Sequence, residues 1–417
     1  MAQSSRIKVD LVVTNLAQLV TVDPGRGEGP LGILTNSALA AAGGKIVWIG
    51  PESQVTKKVV LDPGGEELDG SGRVLLPGLV DCHTHMVFAG SRQHEFEMRA
   101  GGATYQQIAA GGGGISSTMR MTRAAEFDEL LDSCLARLTR ALSFGITTVE
   151  IKSGYGLSVE RELTLLKVIR AAAQAHPVGV VPTFLGAHVV PPELRATRET
   201  YVRQIIDEML PVVSAEGLAE FCDVFCEEGA FTVEESRRIL TAAKEHGLKL
   251  RLHAEQLSQG GGAQLAAELG AISADHLEYA TDEAILAMKA AGTVAVLLPG
   301  AAFYLGQEFP NARRFLDVGV DVALATDFNP GSSPTWNPLL MGTMAVTRMK
   351  MLPHEAITAL TLGGAKALAR QDQMGSITPG KQADLTLFDV GDWRELLYYF
   401  GGNPCSVVVK GGVLVHP

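Results

Sequence analysis

Eight apolar, strand-like runs recur between Leu76 and Pro330, and they set the architecture before any other feature does. In order they read LPGLVDCHTH, GITTVEIKSGYG, VGVVPTFLGAHVV, FCDVFCEEG, LKLRLHAEQ, AISADHLEY, GTVAVLLPG and DVALATDFNP. Near-continuous apolar strands are what a parallel sheet buried on both faces requires. Between them lie FDELLDSCLARLTRALSFG, VERELTLLKVIRAAAQAH and VEESRRILTAAKEHG, whose apolar residues recur at three and four, the period of a helix with one buried face. Eight such β/α units predict an α/β fold of the (β/α)8 TIM-type barrel.

The flanks have a different texture. VDLVVTNLAQLVTV, SALAAAGGKIVWIG and ELDGSGRVLLPG before the first unit, and ITPGKQADLTLFD and NPCSVVVKGGVLVHP after Ser376, are short β segments punctuated by Gly and Pro. The expected organisation is therefore a barrel over 77–375 inserted in a small β-sandwich-like domain built from both termini, 1–76 and 376–417. A single barrel also reconciles the length of 417 residues with a prior of roughly 150 residues per domain.

The formal net charge of −11, with no long Lys/Arg run to offset it, argues against nucleic acid or an anionic membrane as partner. A negative chain that binds an anionic small molecule must do so with a few placed cations. The cysteines Cys82, Cys134, Cys222, Cys226 and Cys405 are odd in number and scattered, and read as reduced thiols rather than a disulfide framework. The opening MAQSSRIKVDLVV lacks the apolar core of a signal peptide and no apolar run approaches ~18 residues, so a cytoplasmic location is expected.

In a barrel of this kind the active site forms at the C-terminal ends of the strands. The first run ends in Asp81, His83 and His85, and alternate residues at a strand end point the same way, so the two imidazoles can serve one metal. The fifth ends in His253, followed by Glu255 and Gln256; the sixth in Asp275 and His276; the eighth in Asp327. Taken singly, each has a plain structural reading, since a strand-end Asp is commonly a helix cap. Three histidines and an aspartate falling on strand ends in barrel order instead form a mononuclear site for a divalent metal, with room for water.

With these residues in place, LPGLVDCHTH together with His253, His276 and Asp327 resembles the amidohydrolase superfamily of metal-dependent barrel hydrolases. Within it, FAGSRQHEFEMRAGGATYQQIAAGGGGI, IKSGYGL, FLGAHVVP, RLHAEQLS, SADHLEY and ATDFNPGSSP are similar to the imidazolonepropionase family. The similarity runs from about Leu75 to Ala369 and covers the terminal β segments in outline. It implies hydrolysis of the cyclic amide C–N bond of 4-imidazolone-5-propanoate to N-formimidoyl-L-glutamate in histidine degradation, by a homodimer carrying one divalent metal per subunit, zinc or iron. The implied ligands are His83, His85, His253 and Asp327. Metal-bound water or hydroxide is the implied nucleophile, and His276 and Asp327 are the candidates for proton transfer, with His276 also able to donate to the carbonyl oxygen.

The resemblance places substrate contacts at Arg92, Tyr155, His188, Gln256, Asn329, Gly331 and Ser332. Arg92, seven residues after His85, can clamp the propionate with two parallel hydrogen bonds. Tyr155 and His188 follow the second and third strands, and Asn329, Gly331 and Ser332 lie in the turn-rich DFNPGSS. Tyr105 is a further plausible contact. Gln256 stands where some relatives carry an acid; an amide cannot move protons at neutral pH, so it can act only by hydrogen bonding. Gly111 to Gly114 suits either a closing lid or a plain turn, and Gly260 to Gly262 a tight connection before a helix.

Two rivals make distinct demands. A superfamily deaminase would use nearly the same ligands without needing Arg92, and a catalytically inactive barrel scaffold could lose ligands freely, whereas all four are present. Binuclear cyclic amidases usually depend on a carboxylated lysine on the fourth strand, and DVFCEEG carries none, so one metal is expected.

Overall fold

A computed structural model describes residues 6–103, 107 and 112–416. Its centre is an eight-stranded parallel sheet in sequential order: β1 (Leu79–Asp81), β2 (Ile146–Lys152), β3 (Gly179–Ala187), β4 (Phe221–Cys226), β5 (Lys249–Ala254), β6 (Ser273–His276), β7 (Val294–Leu297) and β8 (Val322–Leu324). These are the eight runs read from the sequence. The two ends of the sheet meet just beyond the regular ladder, where Thr84 bridges Asp327 in parallel and the His85 amide donates to the Phe328 carbonyl at 3.1 Å. Closure therefore occurs at the strand ends that carry the candidate ligands.

The periodic segments form the outer layer. Phe127–Leu142 buries Leu130, Cys134, Leu138, Ala141 and Leu142 along one stripe. Val159–Ala175 starts at Ser158, whose hydroxyl accepts from the Arg161 amide, and Val233–Glu245 opens with a reciprocal Thr232/Glu235 capping box. Among the described residues no helix is long and apolar enough to cross a membrane.

The terminal segments build two further sheets. One holds Lys45–Pro51, Ser37–Ala42, Ile7–Thr14 and Val59–Asp69; the other holds Val413–His416, Cys405–Lys410, Leu385–Phe388, Val74–Pro77, Gln18–Val20 and Ile33–Leu34. Leu11, Val13 and Leu39 from the first pack with Leu75, Leu385 and Leu387 from the second in one buried cluster. The C-terminal strand Leu385–Phe388 pairs antiparallel with Val74–Pro77, one residue short of β1, so chain from both ends braces the strand that leads to His83 and His85.

Candidate active site

The floor of the site is made by four side chains from strands far apart in sequence. His83 and His85 follow β1, His253 ends β5 and Asp327 follows β8; all are at most 3% exposed. His253 Nε2 lies 3.4 Å from His85 Nε2, and Asp327 Oδ1 lies 3.5 Å from His85 Nε2 and 3.6 Å from His83 Nε2. An ion with ~2.1 Å bonds to tetrahedral ligands would hold them ~3.4 Å apart. Buried His83 Nε2 and Asp327 Oδ1 have no hydrogen-bond partner among the described residues, so the donor set fits a metal.

The opposite edge of two candidate ligands is fixed by carboxylates. Asp275 Oδ2 accepts from His83 Nδ1 at 2.6 Å, and Asp223 Oδ1 lies 3.1 Å from His253 Nδ1. Since an ionised carboxylate only accepts, each contact puts the ring proton on Nδ1 and leaves Nε2 with its lone pair toward the floor. Lys152 binds Glu150 at 2.7 Å and Asp223 at 2.8 Å, while Arg251 binds Asp275 at 2.8 Å and faces Glu150 at 3.7 Å. These five charged groups are fully buried beneath the floor. Burial pushes the Asp223 carboxyl up, but His253 and Lys152 outweigh it and hold it well below the usual carboxylate range. Of this layer, sequence reasoning named only Asp275, as a strand-end residue, and left out Glu150, Lys152, Asp223 and Arg251, although charged residues interrupting apolar strands were its signal.

Burial, with Lys152 next in effect, holds His83 well below the usual imidazole range; burial and His188 do the same for His85. Both rings are neutral, the state a metal needs. Burial also pushes Asp327 up to about 8, against a 2.6 Å hydrogen bond from Ser332 Oγ to its Oδ2. A divalent cation beside Oδ1 would draw that value down again. His276 sits between these groups, its ring 5.3 Å from that of His253 and 5.6 Å from that of His83, and burial keeps it neutral too. Glu255, His276 and Asp327 all have left-handed backbones, φ 49, 81 and 64, unusual for non-glycine residues and concentrated here at strand ends.

Above this floor opens a cavity of about 580 Å³ whose wall includes Arg92, Tyr155, His188, Gln256, Asn329, Gly331 and Ser332. All seven predicted contacts thus face one space. The loop carrying Tyr155 is held by buried Glu162, whose carboxylate accepts from the amides of Gly154, Gly156 and Leu157 at 3.0, 2.7 and 2.8 Å. Gly154 adopts φ 107, and a Cβ on Gly156 would lie 2.6 Å from the Arg161 carbonyl carbon, which accounts for the glycines on either side of Tyr155. Asn329 lies within hydrogen-bond reach of the Tyr155 hydroxyl. His188 Nδ1 donates to the Gly154 carbonyl at 2.9 Å, so Nε2 is the free acceptor; burial and His253 push its pKa down to about 3.

Arg92 is less free than the sequence suggested. Its Nε and Nη2 donate to one oxygen of Glu95, at 2.9 and 2.7 Å. Phe225, Ile115, Arg99 and Gln307 also line the cavity and carried no recognisable signal. Gly260 to Gly262 is a tight connection: Glu255 accepts from the Ala263 amide at 2.8 Å at the start of helix Gly262–Leu269. Tyr105 and Gly111 lie outside the described residues.

The sequence matches the model of the amidohydrolase family over residues 74–415. An imidazolonepropionase of Geobacillus kaustophilus (strain HTA426) is 47% identical over 414 residues, covering 97% of each chain. One from Shewanella sp. (strain ANA-3) is 49% identical over 399 residues, 95% of this chain and 97% of that one. Among solved structures, an adenosine deaminase from Xanthomonas campestris with bound zinc superposes with a TM-score of 0.74 at 18% identity, over 99% of this chain and 94% of the other. A triazine hydrolase variant gives 0.74 at 19% identity, over 97% and 94%. At such identities these two structures speak to the fold.

Proposed function

The chain belongs to the amidohydrolase family, among its imidazolonepropionases, and from that membership we infer that it hydrolyses 4-imidazolone-5-propanoate to N-formimidoyl-L-glutamate. One observation carries the reading to the residues: a single cavity joins a His/His/His/Asp floor to a wall bearing Arg92. The floor suits a metal whose ligands are His83, His85, His253 and Asp327, and the reading assigns one zinc or iron to each subunit of a cytoplasmic homodimer. When bound, the ion acidifies water and polarises the ring carbonyl.

The chain's own groups supply the rest. Arg92 holds the propionate, with Tyr155, Asn329 and the Gly331 backbone around it, and so fixes the ring relative to the floor. Neutral His276 donates a hydrogen bond to the carbonyl oxygen as negative charge develops there. Water oxygen bonds to the carbonyl carbon while the Asp327 carboxylate takes a water proton. The C–N bond then breaks, and that proton passes to the departing ring nitrogen, so the product carries a new carboxylate and the amidine. Gln256 and His188 Nε2 offer hydrogen bonds to the ring without changing protonation.

The test is loss of the imidazolone absorbance, with the product identified by mass spectrometry, using purified protein loaded with Zn²⁺ or Fe²⁺. Turnover is expected, and Arg92→Met should raise KM about 30-fold, corresponding to ~2 kcal/mol for a charge-assisted hydrogen bond. No turnover at any metal loading would defeat the substrate assignment. Turnover unaffected by Arg92→Met would defeat the clamp.

A further inference from the structure

A guanidinium has two faces on which a carboxylate can sit with paired hydrogen bonds: the side face of Nε and Nη2, and the end face of Nη1 and Nη2. In this structure Glu95 takes the side face. Its Oε2 accepts from Arg92 Nε and Nη2, and the two side chains are each 11% exposed. The pairing follows from local geometry, since Arg92 precedes helix Gln93–Ala100 and Glu95 stands three residues later in its first turn. Glu95 Oε1 meanwhile accepts from the Gly114 amide at 2.8 Å, where the chain leaves the glycine run and enters helix Ile115–Ala124. One buried carboxylate therefore ties the arginine to Gly114, at the start of that helix.

Arg92 Nη1 lies against the turn after β8. A Cβ built on Gly331 would lie 1.9 Å from Arg92 Nη1, so the guanidinium occupies space that any side chain there would fill. The Gly331 amide is itself turned toward Asn329 Oδ1, at 2.9 Å. Arg92, Asn329 and Gly331 all line the cavity, and among the described residues the Nη1/Nη2 edge is the one that no carboxylate takes.

We propose that Glu95 is a positioning residue that sets specificity for an anionic side chain: it occupies the side face of Arg92, leaves the end face to the substrate carboxylate beside Gly331, and ties that clamp to Gly114 at the start of the next helix. This rests on the assignment of Arg92 as the carboxylate clamp. Glu95 touches neither the reacting ring nor the floor. Its removal lets the guanidinium swing and should weaken anion binding while leaving the chemical step alone.

The experiment compares the acid substrate with its propanamide analogue in the metal-loaded enzyme. Glu95→Ala should raise KM for the acid at least 10-fold with kcat within about threefold, and should leave binding of the amide within about twofold. Glu95→Gln, whose carbonyl oxygen can still accept from Arg92, should recover most of the KM. In both variants hydrogen exchange at the Gly114 amide should quicken, because Ala removes its acceptor and Gln, with its carbonyl oxygen on Arg92, turns an NH2 toward it; unchanged exchange would overturn the tie to Gly114. Gly331→Ala should act like Glu95→Ala, because it displaces the same guanidinium. Should Glu95→Ala not fold, the Gln and Gly331 variants carry the comparison. Equal penalties for acid and amide, or unchanged KM for the acid in a folded Glu95→Ala enzyme, would overturn the proposal. If Arg92→Met raises KM and Glu95→Ala does not, the clamp survives and this inference alone fails; if neither does, the clamp assignment fails first.

Discussion

Replacing Asp275 by asparagine preserves shape while removing one charge from the layer beneath the proposed metal ligands. The wild-type carboxylate accepts from His83 at 2.6 Å, from Arg251 at 2.8 Å and from Ser273 Oγ at 2.7 Å. Three acids and two bases make up the buried layer, Glu150, Asp223 and Asp275 against Lys152 and Arg251, so its formal charge rises from −1 to 0. His83 then loses the anion that raises its basicity toward a cation. Loss of such an outer partner typically weakens metal binding 10- to 100-fold, about 1.4 to 2.7 kcal/mol. The fold should lose less than the ~3 kcal/mol of a broken buried ion pair, because Arg251 still donates to the Cys82 carbonyl at 2.7 Å and faces Glu150. Metal retained after dialysis against graded chelator gives the affinity, and urea unfolding of the metal-free protein gives the stability. A folded Asp275→Asn protein that holds metal as tightly as wild type would refute the claim that this carboxylate governs His83.

His276→Asn should lower kcat by ~10² to 10⁴ with little change in KM, measured by steady-state turnover; an unchanged kcat removes it from the chemical step. A second expectation concerns acid stability of the metal-free protein. The folded-state pKa of His188, about 3, lies below the ordinary 6.5, so between these values the unfolded chain binds one proton more than the folded one. Stability is therefore full above pH 6.5 and falls as pH drops below it, by ~1.4 kcal/mol per unit for each such histidine. Urea unfolding between pH 7.5 and 5 should show a slope smaller by about one proton in His188→Asn, and identical slopes would contradict the burial argument.

The strands and the floor were legible because topology alone gathers them: once eight βα units are recognised, His83, His253, His276 and Asp327 converge wherever the loops run. Partnership across strands was not legible. That Asp275 meets His83, or Asp223 meets His253, depends on which strand faces which across the barrel, and a charged residue in an apolar run announces burial without naming its partner. Glu95 was hidden for a different reason, since an Arg/Glu pair three apart on a helix reads as a surface contact until the fold buries it. Strand Val59–Asp69 was also only half visible. Its Pro-Gly-Gly reads as a turn, yet the pairing with Ile7–Thr14 steps from Val9–Leu61 to Leu11–Glu66, so the irregularity is absorbed by a bulge and the strand continues.

The central claim is that one ion on His83, His85, His253 and Asp327 supports hydrolysis at this floor. Stripping the protein and titrating metal back while following imidazolone turnover tests it directly. Activity should rise linearly and saturate at one equivalent per chain, and His253→Asn should abolish both the binding and the activity. Saturation at two equivalents, or full turnover by the metal-free protein, would contradict the account.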